Sequence, residues 1–458
     1  MQKNFLWSAF TALILSGCLN PDIPPLPPHA TQSDVTVNNR WWEEFHDASL
    51  NQLMDDALKE SLSLNAAKQR VLQAYATLQS KEASTLPTVN AIGTGGAQNE
   101  LKGVESKKDT YTATLAASYE VDLFGKKEDA TQSTEATFKA TQEALHISSI
   151  TLAAEITTAW YTLAQKQESL TLLNEQQNVA QKILAITKIT HESGKNSITD
   201  VWQQEQYLQS LASQKITLLA DIDTQIRAIN ILLGRSPLSA LPLSKNAQLI
   251  ALPAIPEVGI PATKLLQRPD VKQAFYTLQA SHYDLAEAIK NQYPTLSISL
   301  STLSSATQFS NLLDTIIATA TGTLSGTLYD GGNKEALVKK ARFITKERSF
   351  SYQQTLIGAF NETLEAEHKE AMQTRYNAQL NERLILARAI FERQQSKYLY
   401  GTVQYLSVLN AQQSLQELEQ TQLTKELENI KYRIALYRSL GGAFITQDID
   451  HEWRNYDN

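Results

Sequence analysis

Cysteine occurs once in the chain, at Cys18. A single thiol cannot form an internal disulfide, and it excludes a cysteine-rich metal cluster. Basic residues are not in excess. The 41 Lys and Arg stand against 48 Asp and Glu, with a net charge of −7 and a pI near 5.6, so the basic footprint of a nucleic-acid partner is missing. The seven histidines are scattered at positions 29, 46, 146, 191, 282, 368 and 451. They show no metal-ligand spacing, so neither metal nor cofactor is expected. No nucleophile–base constellation is visible, and no enzymatic activity is expected. Ser193-Gly194-Lys195 resembles the end of a phosphate loop. It lacks the preceding glycine and strand, and reads instead as a turn between helices. Beyond the N-terminus no segment is a candidate transmembrane helix, so any further membrane crossing must be a β-barrel.

What is present begins with the N-terminus. Lys3 precedes an apolar run from Phe5 to Leu15, and Ser16-Gly17 leads into Cys18. This is the layout of a bacterial secretory signal, too short to span a bilayer. Leu15-Ser16-Gly17-Cys18 also looks like a lipoprotein signal whose cysteine becomes the lipidated first residue. The alternative is a plain signal peptide that happens to hold a cysteine. Leu19 in place of Asp suggests sorting to the outer membrane. Pro21, Pro24, Pro25, Pro27 and Pro28 then form a stiff, extended tether. With 42% hydrophobic and 19% charged residues, the remainder has the composition of a folded protein.

The folded part opens at Trp41-Trp42-Glu43-Glu44-Phe45. Helical periodicity runs from Ser49 to Glu82 and Pro87 ends it. Residues 88–97 are small, β-branched and Gly-rich; residues 110–120 alternate strictly. Period two predicts a strand, with Tyr111, Ala113, Leu115, Ala117 and Tyr119 on one face and Thr112, Thr114, Ala116, Ser118 and Glu120 on the other. Lys126 to Ser193 is 68 residues without Gly or Pro. A second helix is predicted over 197–233, closing at Gly234, and a Pro-rich connector follows. The pattern then recurs. A helix spans about 263–291, and strands are predicted at 295–303 and 318–328. In the last of these Thr319, Thr321, Thr323 and Ser325 face one way. A second long helix follows Gly331-Gly332 and is interrupted at Gly401.

The recurrence has a constant step. Pro87 maps to Pro294, Gly125 to Gly332, Gly194 to Gly401 and Gly234 to Gly441, each 207 residues on. Four Gly/Pro marks in register, at sites where backbone geometry demands them, indicate a doubled domain. The 68-residue helix would extend about 100 Å, and the two shorter helices end to end about 108 Å. Two short helices therefore match one long helix, with strands at one end and the turns at Gly194 and Gly401 at the other. Four strands cannot close a barrel, whereas three chains would supply twelve. Tyr111 and Tyr119 lie about 26 Å apart along a strand, a separation that suits two aromatic girdles. The lumen would be lined by Thr112, Thr114, Ser118, Thr319, Thr321, Thr323 and Ser325. The competing reading is a soluble sheet with one wet face.

In their order, these motifs resemble the TolC-like outer-membrane efflux protein family and its lipoprotein subgroup. They are Trp41-Trp42-Glu43-Glu44-Phe45, Tyr119 to Gly125, Leu232-Leu233-Gly234, Arg268-Pro269-Asp270-Val271, Tyr329-Asp330-Gly331-Gly332, Tyr405-Leu406 with Leu409-Asn410-Ala411-Gln412, and Leu440-Gly441-Gly442. The resemblance implies a mainly α fold with a membrane β-barrel. A homotrimer would form a 12-stranded barrel in the outer membrane, continued by an α-helical periplasmic tunnel. It further implies a passive exit duct for drugs or other small toxic solutes. A periplasmic adaptor and an inner-membrane transporter, often of the resistance–nodulation–division type, would complete the pump.

Family members often carry Asp where this chain has Asn410, near the periplasmic tip. Asp200 lies close to the same tip and could supply the ring of charge instead. The expectation is that Asp200, Gln203, Gln404 and Asn410 border the constriction; the alternative is a solvated helix face. The expected organisation is a signal peptide (1–17), a lipid-anchored segment (18–48), a first repeat (49–235), a connector (236–262), a second repeat (263–442) and a tail (443–458). A protein or polysaccharide secretion duct would use the same fold. A periplasmic coiled-coil scaffold is the alternative of another class, but it has no need of amphipathic strands.

Overall fold

The computed structural model describes residues 40–99, 107–252 and 265–441. The expected signal segment with Cys18, the Pro-rich stretch, residues 100–106, residues 253–264 across the end of the expected connector and the start of the second repeat, and residues 442–458 lie outside them. Among the described residues the chain is mainly helical, with one small antiparallel sheet. The helices are α1 (Ala48–Glu60), α2 (Leu62–Ala83), α3 (Lys126–Glu192), α4 (Ile198–Leu232), α5 (Pro269–Lys290), α6 (Asn333–Leu399) and α7 (Tyr405–Ser439). The strands are β1 (Thr88–Asn99), β2 (Lys107–Val121), β3 (Thr295–Ala306) and β4 (Ile316–Ser325).

The doubling holds to the residue in four pairs of elements. The bounds of α2, β1, α3 and α4 reappear as those of α5, β3, α6 and α7, each 207 residues on. Both long helices have 67 residues. By contacts the chain divides into two compact units. Of the described residues, one holds Val71–Gln142 and Lys272–Gln354; the other holds 40–70, Glu143–Val271 and 355–441.

The single helix expected over 49–82 is in fact two, broken at Ser61. A close approach lies at the break. Gly234, just past the end of α4, has φ +78°, and a Cβ there would stand 2.6 Å from the Glu60 carbonyl oxygen. The end of α4 thus abuts the start of α2. Arg268 occupies the position equivalent to Ser61, immediately before α5, and Gly441 lies against it as Gly234 lies against Glu60. The last strand was expected at 318–328, but β4 ends at Ser325. Next to it Gly326 crowds Pro294, whose ring would be 3.1 Å from an added Cβ.

In the second unit the residues of Trp41–Phe45 form a 3₁₀ turn whose Trp41, Trp42 and Phe45 are buried. Trp41 stacks on Tyr437 at 5.3 Å, and the Tyr437 hydroxyl donates to Glu44. Burial first, and then the Glu44 carboxylate, push the Tyr437 hydroxyl up to about 12. Asp47 caps α1 by accepting from the Ser49 and Leu50 amides, and it also accepts from Trp160 Nε1 at 2.7 Å. The opening aromatic motif is therefore an anchor, packed on the long helix α3 and on α7.

Arg268 is also buried in this unit. Its guanidinium pairs with Asp270 and Glu362, and it donates to the Ser439 carbonyl at the end of α7 at 2.7 Å. Arg438 pairs with the other Glu362 oxygen at 2.7 Å. Burial works against the Glu362 carboxylate, but the two guanidiniums outweigh it and hold it below its ordinary value of 4.5. A depressed carboxylate contributes stability that is complete above its unfolded value and is lost as pH falls through its folded value. Unfolding midpoints recorded on acidification from pH 6 should therefore drop more steeply below about pH 4.5 for the native protein than for Glu362→Gln. Parallel profiles would contradict this.

Candidate pore wall and aperture

The sheet order is β1-β2-β3-β4, every pair antiparallel. Directly opposed residues share a face, so the register sorts every side chain. Thr88, Ser118, Ser299 and Thr321 form one cross-strand rung; Asn90, Ala116, Ser301 and Thr319 form the next but one. The Thr88 and Ser118 hydroxyls hydrogen-bond at 2.8 Å, those of Thr295 and Ser325 at 3.1 Å, and Thr94 bonds Thr112. Thr112, Thr114, Ser118, Thr319, Thr321, Thr323 and Ser325 all fall on this polar face. The opposite face carries Val89, Leu115, Leu300, Ile316 and Leu324, exposed to the surroundings of the chain, together with Tyr111 and Tyr119. The polar face has one interruption: Thr114 shares its rung with Ile92, Leu303 and Ile317.

More aromatic residues mark the strand ends than the alternation alone indicated. Phe309, in the β3–β4 connection, meets Tyr111 edge-on at 5.8 Å. At the other ends Phe124, just after β2, lies 4.9 Å from Tyr293, just before β3. Phe124 sits inside the Tyr119–Gly125 motif and Tyr293 precedes Pro294. Their place next to strand-ending residues was the available signal.

The predicted tip turns are two copies of one device. Gly194 and Gly401 have φ +70° and +73°, the left-handed region that favours glycine. The Lys195 amide donates to the Thr190 carbonyl and the Thr402 amide to the Lys397 carbonyl, both at 3.0 Å. These are Schellman closures of α3 and α6. The turns are not cut off from each other: the Asn196 side-chain Nδ2 donates to the Tyr398 hydroxyl at 2.9 Å and to the Thr187 carbonyl. Deeper in, the buried Tyr405 hydroxyl donates to the Gln204 side chain, and burial raises its pKa.

The candidate aperture residues separate into two kinds. Asp200 is half-buried and belongs to a capping box: its Oδ2 accepts from the Ser197 amide at 3.3 Å, while Ser197 Oγ accepts from the Thr199 amide. Its charge thus lies at the N-terminus of α4, where the helix dipole favours it. Gln203 is half-buried, and among the described residues its Oε1 is enclosed without a partner. Gln404 is the exposed N-cap of α7 and makes no side-chain cap bond. Asn410, one repeat on from Gln203, is exposed. Among the described residues no group of three or more His, Cys, Asp and Glu could hold a metal, and no helix is long and apolar enough to cross a membrane.

Comparison with known proteins matches the family described as Outer membrane efflux protein over residues 53–235 and 260–442, two blocks separated by the same 207-residue step. The toluene efflux pump outer membrane protein TtgC of Pseudomonas putida is 26% identical, over 98% of this chain and 97% of that protein. The cation efflux system protein CusC of Escherichia coli is 25% identical, over 94% and 97%. The pyoverdine export outer membrane protein OpmQ of P. putida is 26% identical, over 94% and 96%. Among solved structures, the outer-membrane channel OprN superposes with a TM-score of 0.84 at 24% identity, covering 92% of this chain and 98% of its own. The CmeC outer membrane channel of Campylobacter jejuni gives 0.82 at 22%, covering 94% and 97%. At these identities the structures share the fold.

Proposed function

This chain belongs to the outer membrane efflux protein family, and from that premise we propose that it is the passive exit duct of a tripartite efflux pump in the outer membrane. The observation that carries the reading is the two-faced sheet. Its register gathers Ser and Thr on one face and apolar residues on the other, and β1 and β4 have no further neighbour among the described residues. Open edges of this kind are eliminated by closure with other strands. Three copies give a 12-stranded barrel with its polar face on a water-filled lumen and its Tyr-bearing face toward lipid.

The long helices of the three copies then form the periplasmic tunnel. A stripe on α6 supports the homotrimer. Phe343, Phe350, Ile357 and Leu364 recur every seven residues and are exposed, whereas their α3 equivalents Ala136, Glu143, Ile150 and Thr157 are buried. An apolar seven-residue stripe suits packing against a further helix. In this reading residues 1–17 are removed, Cys18 carries the lipid anchor and segments 49–235 and 263–442 are the two repeats. The duct receives small toxic solutes from an inner-membrane transporter, of the resistance–nodulation–division type, through a periplasmic adaptor. Relatives named for toluene, cation and pyoverdine efflux support a small-solute cargo.

Planar-bilayer recording tests the proposal. The purified full-length chain should insert as discrete conducting steps. Ala substitutions at Asp200, Gln203, Gln404 and Asn410 should change the step size at one or more of these positions. Inserted trimers without conductance would refute the duct; unchanged steps across all four variants would remove these residues from the aperture.

A further inference from the structure

The internal repeat allows one exposed surface to be matched with its cover. Ile183 of α3 is 4% exposed and lies in a buried cluster with Tyr405, Val408, Leu409 and Leu415 of α7. One repeat on, Ile183 becomes Ile390 of α6, which is 54% exposed. One repeat earlier, Leu409 and Tyr405 become Trp202 and Ile198 of α4, which are 61% and 40% exposed. The first repeat thus presents an outgoing surface that the second repeat covers. The outgoing surface of the second repeat is bare at Ile390, and the incoming surface of the first is bare at Ile198 and Trp202 although Val201, the counterpart of Val408, is buried.

We propose that Trp202 and Ile198 of one copy close over Ile390 of the next copy, as Leu409 and Tyr405 share one buried cluster with Ile183 within the chain. The inference rests on the trimer reading above and assigns its contact near the tip. The contact between repeats is heterologous, since two different faces meet. Repeating such a contact between chains produces a ring when the rotation closes, and each bare face then meets its complement. Trp202 is the anchor of this contact. A tryptophan exposed on a helix beside other apolar residues marks an interaction site, and tryptophan is enriched among residues that dominate interface energy. The other occupant of this surface would be the periplasmic adaptor.

Cross-linking distinguishes the occupants. In full-length protein carrying Ile390→Cys and Trp202→Cys, oxidation with copper phenanthroline should give a ladder of covalent dimers and trimers on denaturing gels. The equivalent pair Ile183→Cys and Leu409→Cys should close inside the chain and run at monomer mass. In Ile390→Cys alone, which keeps Trp202, the thiol should react slowly with maleimide in the trimer and at least tenfold faster once the trimer is dissociated. A trimer by light scattering with no ladder and a fast-reacting thiol overturns the pairing and leaves the trimer standing. Protection of the thiol only after adaptor is added assigns the surface to the adaptor and also overturns the pairing. A monomer defeats both the pairing and the trimer reading.

Discussion

Glu370→Leu should destabilise the protein by about 3–5 kcal/mol, the scale on which a buried ion pair loses one partner. Glu370 of α6 and Arg433 of α7 are each 1% exposed, and Arg433 Nε and Nη2 reach Glu370 Oε1 at 2.7 and 2.6 Å. Without the carboxylate the Arg433 guanidinium remains buried, 5.9 Å from the centre of the Tyr437 ring. The chain itself contains the compensating solution. At the equivalent positions the first repeat has Leu163, fully buried, and Ile226. The first repeat therefore carries no charge at these two positions. Glu370→Leu combined with Arg433→Ile should recover most of the loss, because a buried ion pair replaced by packed apolar side chains is often neutral or stabilising. Thermal unfolding of the detergent-purified protein, followed by circular dichroism, provides the comparison. A double variant no more stable than Glu370→Leu would show that the repeats do not pack interchangeably here.

Gly234→Ala should cost about 2–5 kcal/mol, from two sources. Its φ of +78° carries about 1–2 kcal/mol for an L-residue. Its Cβ would also stand 2.6 Å from the Glu60 carbonyl oxygen and 3.1 Å from Leu62 Cγ, and such overpacking adds about 1–3 kcal/mol. Gly194 is the control. It has φ +70° and nothing within 4 Å of an added Cβ, so Gly194→Ala should show only the backbone part. Gly441, at φ +90° with Arg268 Cγ at an ordinary 3.5 Å, should behave like Gly194. The same unfolding measurement ranks the three. Equal shifts would mean that Gly234 is not the point where α4 abuts the break between α1 and α2.

Much of this architecture was legible in the linear chain, for a definite reason. Glycine and proline register backbone demands locally, so Gly194, Gly234, Gly401 and Gly441 revealed the doubling before any contact was known. The break at Ser61 was missed because nothing local marks it there. Its signal sits in the other repeat, where Pro269 stands 207 residues after Leu62. Asp200 was legible as a charge near a tip but not as the partner of Ser197 in a capping box. The partnership of Glu370 and Arg433 was not legible, since it spans 63 residues.

By itself, then, the sequence determined the doubled plan, the lengths of the two long helices and the two-sidedness of the strands. All of these follow from periods set by the backbone: 3.6 residues for helices, two for strands and 207 for the repeat. Tertiary structure alone decided which faces meet. It set the strand register that gathers Thr112, Ser118, Thr319 and Thr321 on one side, and it placed Ile92, Leu303 and Ile317 among them. It also buried Ile183 while leaving Ile390 and Trp202 exposed, although the repeat relates these positions. Equivalent residues can have opposite exposure because burial depends on which distant segment arrives, and no local period encodes that.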